Sequence, residues 1–571
     1  MFVLLERLSK TELSKSLLQF KSALFYVAIF TACINLLYLA PSIYMLEVYD
    51  RVLTSSNMST LVFLSLIILF LFLIMSLLEY VRSAMVIKIG EKLDNTLNQK
   101  IYTAAFHQNL KSKKINAGQA IADLTTIRQF VTGNGLFAFY DAPWLPIYLL
   151  VIFLFNFWMG IFATVCVFVL VALAWANTQA TDSPLKNANA YSVQSGAIAT
   201  NSLRHADTIQ AMGMVSAIRA RWLNLHQKFL EAQADGSMRS GYLSAISKFF
   251  RLAMQSLILG LGAYLAIQHD ISPGMMIAGS ILLGRALAPV DMLIGVWKQW
   301  GGVVSAYGRL NQLLIENPEN SEPLTLPKPS GKISVENIVL RFDGVEEPAL
   351  KGIQFSIEAG ECLALIGPSG AGKSTLGKLL VGLIKPNSGN VRIDSADISS
   401  WNLDELGQYM GYVPQQPTLF AGTIAENISR FGKLDSDEII RIANLAGVHD
   451  LILHFPKGYE TLVGDGGEGL SGGQMQRIAL AQALYGDPAL IVLDEPNSNL
   501  DQFGEASLVE TLRKLKQNKQ TVIFISHNLN LIRHSDKLMF LEDGAIKFLA
   551  PTQVALDRLG SKSKSVANPN L

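Results

Sequence analysis

The sequence predicts two structural classes in one chain. A membrane α-helical domain of six transmembrane helices with long cytoplasmic extensions comes first, and an α/β P-loop nucleotide-binding domain follows. Three observations carry that prediction. Apolar stretches crowd the first half of the chain, and a proline-broken segment from Pro318 through Pro323 and Pro327 to Pro329 then ends the helical pattern. Beyond it the run Gly367-Pro368-Ser369-Gly370-Ala371-Gly372-Lys373-Ser374-Thr375 stands between a strand-like and a helix-like segment.

Composition supports the first half of that reading. The 571 residues exceed one ordinary domain; 50% are hydrophobic, only 16% are charged, and mean hydropathy is +0.30. These values fit a membrane protein with a soluble portion. A net charge of +1 gives no bulk electrostatic case for nucleic acid. Cys33, Cys166 and Cys362 lack metal-ligand spacing and are expected as buried thiols outside any disulfide framework. Met1 to Phe20 mixes Lys, Glu, Ser and Leu without a small-residue cleavage site, which predicts a cytoplasmic amphipathic lead-in rather than a signal peptide.

Six spans are expected near Ser22–Leu46, Thr60–Leu78, Leu145–Phe157, Gly160–Ala176, Leu252–Ile267 and Met275–Val296. The loops Glu47–Asn57, Asn156–Met159 and Gln268–Gly274 are short. Glu79–Pro143 and Asn177–Phe250 are long and basic, with Arg82, Lys88, Lys92, Lys111, Lys113, Lys114, Arg204, Arg219 and Arg221. Positive-inside logic places the long connections and both termini in the cytoplasm. Each long connection keeps helical periodicity and breaks near Lys114–Gly118 or Ala211–Gly213, so each predicts two helices reaching about 30 Å beyond the bilayer. Such elbows can carry force from a soluble engine to the membrane. In the last span Pro289 predicts a kink, because it cannot donate to the Arg285 carbonyl. Arg285 and Asp291 are too far round the helix to pair with each other. Lining of a path and pairing with another helix are both open for them. The expected boundaries are 1–317 for the transmembrane domain, 318–330 for the linker, 331–559 for the nucleotide domain and 560–571 for a flexible tail.

In the second domain, glycines at 367, 370 and 372 free backbone N–H groups to turn inward around a polyphosphate. The helix N-terminus adds its positive end, Lys373 can reach the β- and γ-phosphates, and Ser374 can offer a hydroxyl to Mg²⁺. Phe342 in Val339-Leu340-Arg341-Phe342 can stack on an adenine or fill a half-buried strand position. Gly411-Tyr412-Val413-Pro414-Gln415 places an amide after a short strand. Gly469-Leu470-Ser471-Gly472-Gly473-Gln474 opens a second anion-binding helix. Leu490-Ile491-Val492-Leu493-Asp494-Glu495-Pro496 is a buried strand ending in two carboxylates; Asp494 suits Mg²⁺ and Glu495 suits activation of a water. Ser498-Asn499-Leu500-Asp501 follows, and Val522-Ile523-Phe524-Ile525-Ser526-His527 sets an imidazole where it can contact a γ-phosphate.

The order P-loop, glutamine, Leu-Ser-Gly-Gly-Gln, Asp-Glu, histidine resembles the ATP-binding cassette (ABC) transporters. Six spans before one cassette resemble their exporter half-transporters, over nearly the whole chain. The resemblance implies a homodimer using ATP and Mg²⁺. Lys373, Ser374, Thr375, Gln415, Asp494, Glu495 and His527 of one subunit would face Ser471 and Gly473 of the other, with Asp501 also at the nucleotide and Glu495 as base. A narrower likeness lies in Leu46-Glu47-Val48-Tyr49-Asp50-Arg51-Val52-Leu53, Asp141-Ala142-Pro143-Trp144-Leu145-Pro146-Ile147-Tyr148, Gly284-Arg285-Ala286-Leu287-Ala288-Pro289 and Asp494-Glu495-Pro496-Asn497-Ser498-Asn499-Leu500-Asp501. These resemble type I secretion exporters of the PrtD-type branch. That branch exports unfolded proteases, lipases and other proteins with C-terminal signals from the bacterial inner membrane, through a membrane-fusion protein and an outer-membrane channel. The expectation here is that no further N-terminal domain precedes the first span, unlike bacteriocin and haemolysin-type exporters. A lipid, glycan or drug exporter of the same architecture is the alternative. A soluble ABC ATPase acting on DNA would need no spans and a basic face.

Overall fold

The structure, a computed structural model, describes residues 18–111, 117–318, 326–342 and 344–558. Most of the expected lead-in, Lys113 and Lys114, Pro323 and the expected tail lie outside the described residues. The chain divides into two compact units, Met1–Glu319 and Asn320–Leu571.

The first unit is helical: α1 (Lys21–Leu37), α2 (Ala40–Glu47), α3 (Met58–Lys111), α4 (Ala117–Thr132), α5 (Asn134–Asp141), α6 (Leu145–Phe155), α7 (Phe157–Arg204), α8 (Ala206–Ala211), α9 (Val215–Ile267) and α10 (Pro273–Glu316). Among the described residues, six stretches are long and apolar enough to cross a membrane: Lys21–Ser55, Met58–Leu110, Asn134–Phe155, Phe157–Arg204, Val215–Ile267 and Pro273–Trp297. Four helices far outrun a bilayer. At 54 residues α3 is about 80 Å long, and α7, α9 and α10 have 48, 53 and 44 residues. The expected break near Ala211–Gly213 follows α8, where Gly213 takes φ +66°. A further break at His205 had no Gly or Pro to announce it. One expectation is corrected. Cys33 is exposed, because its apolar helix turns that face outward; only Cys166 and Cys362 are buried.

Helix α10 is held along its length by its neighbours. Ser272 caps it, accepting from Met275 N at 3.1 Å, and Pro273 occupies its first turn. Asp50, in the π-helical turn Val48–Val52, accepts from Gly274 N at 2.8 Å and from the Ser272 hydroxyl. A Cβ at Gly274 would lie 2.7 Å from that carboxylate, so only glycine admits it. Further along, the Arg285 guanidinium sits 4.1 Å from the Tyr38 ring centre, and the Tyr38 hydroxyl donates to Glu79 at 2.8 Å. Asp291 pairs with Arg251 of α9 at 2.7 Å. Both charges thus meet other helices. The helix runs unbroken through Pro289.

The Asp141–Tyr148 segment also gains a physical reason. Asn35 of α1 donates to Asp141 at 2.8 Å and accepts from the Tyr148 hydroxyl at 2.8 Å. Arg82 of α3 lies 3.7 Å from Asp141. A buried polar knot thus joins the first three spans.

The second unit contains β1 (Ile333–Leu340), β2 (Leu350–Ile357), β3 (Cys362–Ile366), β4 (Ser388–Ile393), β5 (Ala396–Asp397), β6 (Met410–Val413), β7 (Gly422–Thr423), β8 (Leu462–Val463), β9 (Leu490–Asp494), β10 (Thr521–Ile525), β11 (Lys537–Glu542) and β12 (Ala545–Pro551). Six form one sheet in the order β12-β11-β3-β10-β9-β6. Its strands are parallel except for the edge strand β12. β9 and β10 are buried along their whole length, as continuous apolar runs require. A second, antiparallel sheet runs β2-β1-β4-β5. Its inward residues Ile333, Val335, Ile338, Leu350 and Ile353 share one core with Leu363, Leu365, Val492 and Ile523 of the first sheet.

Candidate nucleotide-binding site

The P-loop links β3 to helix α11 (Lys373–Leu380). Gly367 has φ +154°, and a Cβ there would lie 2.0 Å from the Leu541 carbonyl oxygen. Gly372 has φ +95°, and its Cβ would lie 2.9 Å from the Ala349 oxygen. Backbone packing therefore forbids a side chain at either position, whatever the loop binds. Pro368, Ser369 and Gly370 form the exposed lip; Ala371 is buried, and Ser374 and Thr375 are half-buried on the first turn of α11. Lys373 is 7% exposed and donates to the loop's own carbonyls, Gly367 at 2.7 Å and Pro368 at 2.9 Å. Burial lowers its pKa, while the nearby charges of Glu495 and Asp494 oppose that shift.

Parallel topology brings the other groups to the same edge. β10 lies between β3 and β9, and β9 lies beside β6. The P-loop, Gln415, the Asp494–Glu495 pair and His527 thus all follow the carboxyl ends of neighbouring strands, where open α/β sheets bind ligands. Asp494 is 2% exposed, and its Oδ1 has no hydrogen-bond partner. Burial raises its pKa, opposed by a hydrogen bond with Ser374. Glu495 adopts φ +49°, a conformation that costs a non-glycine residue energy. Its N–H donates to the Ile525 carbonyl at 3.0 Å, and its carboxylate accepts from Gln415 Nε2 at 3.1 Å. His527 is exposed two residues beyond β10.

Phe342 lies beyond the end of β1 and is 43% exposed. It is therefore not the half-buried strand aromatic that its sequence context also allowed. It lines a pocket of about 440 Å³ with Arg341, Glu346 and Asn387. Leu340, two residues earlier, pairs with Leu350, whose side chain lies beside Gly372.

Ser471 caps helix α12 (Gly472–Leu484) in a reciprocal box with Gln474, its N–H donating to Gln474 Oε1 at 2.8 Å. Ser471 is exposed, and a Cβ at Gly473 would lie 2.8 Å from the Asn499 oxygen. The loop from Ser498 to Asp501 therefore rests on the first turn of α12. Asp501 caps helix α13 (Gln502–Gln517), accepting from Gly504 N at 2.8 Å, and pairs with Arg477 of α12 at 2.9 Å. In this chain its carboxylate is engaged by protein. Sequence reading missed Arg477, which follows Gln476 without a motif of its own to mark it.

The donor set can be tested against Mg²⁺. A buried carboxylate with one unpartnered oxygen, beside a hydroxyl, suits an octahedral oxygen-preferring ion. Among the described residues no group of three or more His, Cys, Asp or Glu could hold a metal. A cation here would take its other ligands from phosphate and water, as Mg²⁺ does at nucleotide sites.

Fold and site together define an ATP-binding, membrane-spanning transporter with its own ATPase. Comparison with known proteins agrees. Residues 24–288 match the ABC transporter transmembrane region family, and residues 350–498 match the ABC transporter family. The chain is 39% identical over 542 residues to the type I secretion system ATP-binding protein PrsD of Rhizobium meliloti (strain 1021), covering 94% of this chain and 93% of that one. It is 30% identical to the leukotoxin translocation ATP-binding protein LktB of Mannheimia haemolytica, over 87% of this chain and 71% of the relative. The exotoxin translocation ATP-binding protein PaxB of Pasteurella aerogenes is 28% identical, over 93% and 75%. In fold, it superposes on a bacterial Atm1-family ABC exporter with ATP bound, with a TM-score of 0.82 at 22% identity, covering 97% and 99% of the two chains. The chain belongs to the type I secretion ATP-binding proteins of the ABC transporter family.

Proposed function

We propose that this ATPase drives unfolded proteins carrying C-terminal signals out of a bacterial cell across the inner membrane, working as a homodimer. The observation that carries the reading is the convergence of Lys373, Gln415, Asp494 and Glu495 on one sheet edge, in a chain with six membrane-crossing helices. The P-loop amides and Lys373 hold the ATP phosphates, and the Phe342 ring stacks on adenine. Ser374, Asp494 and Gln415 would hold Mg²⁺, which when bound would neutralise charge on the phosphates. Glu495 takes the proton from the attacking water, positioned by its contact with Gln415, and His527 contacts the γ-phosphate. Ser471 and Gly473 of a second copy close over the nucleotide, which suits the exposed, capped start of α12. Asp501 acts at this seam by fixing its loop to Arg477. Both termini and the ATP-binding unit lie in the cytoplasm, and the boundaries are those given above. Periplasmic adaptor and outer-membrane channel proteins continue the path, in keeping with the secretion and translocation names of the relatives.

The reading is tested by the culture medium of cells lacking this chain. At least one secreted protein should vanish, return with the unaltered chain and stay absent with Lys373→Ala. An unchanged medium overturns the protein-export reading.

A further inference from the structure

The cytoplasmic end of α10 is fastened in a way the ATP site does not explain. Asp123 of α4 is 2% exposed, yet it carries a carboxylate. Arg309 of α10 meets it with a two-pronged pair, Nε to Oδ2 at 2.8 Å and Nη2 to Oδ1 at 2.7 Å. Gln119, one turn earlier on α4, donates to Oδ1 at 2.9 Å. This hydrogen bonding to Asp123 raises the Arg309 pKa, so the cation persists at every physiological pH. Two more contacts lie nearer the end of the helix. Gln108 of α3 donates to Glu316 at 3.0 Å and accepts from Asn317 at 2.8 Å.

These polar ties surround a shared apolar core. Leu97, Ile101 and Ala104 of α3, Leu124, Ile127 and Phe130 of α4, and Val303, Ala306, Leu310 and Leu313 of α10 belong to one buried cluster. A core alone lets helices slide by small steps, because apolar contact is non-directional. A planar guanidinium against a buried carboxylate fixes both register and angle. Chain connectivity gives this a consequence. α10 ends at Glu316, and the ATP-binding unit begins its first strand at Ile333. Along the chain, α10 is the last helix of the first unit before the ATP-binding unit.

We propose that Asp123 and Arg309 are positioning residues for coupling, locking α3, α4 and the end of α10 into one lever. Nucleotide-driven motion then reaches the spans undiminished. The proposal rests on the reading of the second unit as an ATP motor.

The test places nitroxide labels at Ile121 and Val304, both exposed, on the full-length chain with its three cysteines replaced. Labelled chain is diluted with unlabelled chain, and the interlabel distance is measured without nucleotide and with MgATP and vanadate. ATPase rate is assayed separately on each sample. The expected result with Asp123 and Arg309 intact is one narrow distance, identical in both states. Asp123→Asn should broaden or shift it on nucleotide addition while the ATPase rate persists. Arg309→Lys keeps the charge but loses the fork, and should do the same in a chain that still folds. A distance that moves with nucleotide when the pair is intact overturns the proposal. So does a narrow, fixed distance in Arg309→Lys, including the case where Asp123→Asn merely unfolds. Absence of ATPase activity in the unsubstituted labelled chain would instead count against the motor reading.

Discussion

Replacing Glu495 with Gln tests the chemistry with little disturbance of shape. The Gln415 amide donates to Glu495 Oε2 at 3.1 Å, and a glutamine carbonyl can accept the same bond. The backbone at φ +49° is no harder for Gln than for Glu, so the strain is unchanged. What is lost is the ability to take a proton. A positioned general base contributes about 10²–10⁴ in rate, or roughly 3–5.5 kcal/mol at 1.36 kcal/mol per tenfold. Turnover of purified Glu495→Gln should therefore fall by at least about a hundredfold. ATP affinity, measured by a fluorescent analogue or calorimetry, should persist, because Lys373 and the loop amides are untouched. ATP should also hold two chains together, visible as a slower-sedimenting dissociation product failing to form. Hydrolysis near the unsubstituted rate would refute the assignment, and loss of ATP binding would refute the claim that the site keeps its shape.

The buried carboxylate beside Glu495 predicts an exchange of stability for function. Burial raises the Asp494 pKa above its unfolded value, so its favourable contribution exists below the unfolded pKa and is lost as pH rises through the folded one. Asp494→Asn should thus stabilise the nucleotide-free chain at pH 7, by the roughly 0.5–2 kcal/mol usual for such substitutions, and abolish Mg²⁺-dependent hydrolysis. Calorimetric melting at pH 7 checks the sign; a lowered Tm contradicts it. Phe342→Ala should weaken ATP binding by about 0.5–1.5 kcal/mol, while Phe342→Tyr should be nearly silent in the same titration. Arg285→Ala should remove its contact with Tyr38, worth about 0.5–2 kcal/mol, and lower export more than basal ATP hydrolysis. Equal loss of both activities would make Arg285 a purely structural pair.

The meeting of the P-loop, Gln415, Asp494, Glu495 and His527 at one sheet edge was legible because each follows a strand whose apolar run is visible in the sequence. Lys373, Asp494 and Glu495 are local to their motifs, and parallel pairing brings the motifs together. Phe342 was ambiguous for the same reason: its surroundings depend on where β1 ends, a matter of tertiary pairing with β2. Asp501 was placed at the nucleotide, but its partner Arg477 lies on another helix and no local pattern joins the two. In the membrane unit, hydropathy located the six spans. It could not say which face of α1 turns outward, and so misplaced Cys33. The partners of Arg285 and Asp291 were hidden because they lie on α9 and just beyond α1. Hydropathy reports that a charge is in a span, not which helix comes to meet it.

A chain that moves a protein cargo should hydrolyse ATP in answer to that cargo. The direct measurement is the ATPase rate of the full chain reconstituted in lipid vesicles. It is read against added C-terminal segments of the proteins missing from the medium of deficient cells, and against added lipids, glycans and drugs. The expected result is a saturable change in rate with one of those C-terminal segments, absent in Glu495→Gln. A rate that responds to a lipid, glycan or drug, and to none of the segments, would contradict it.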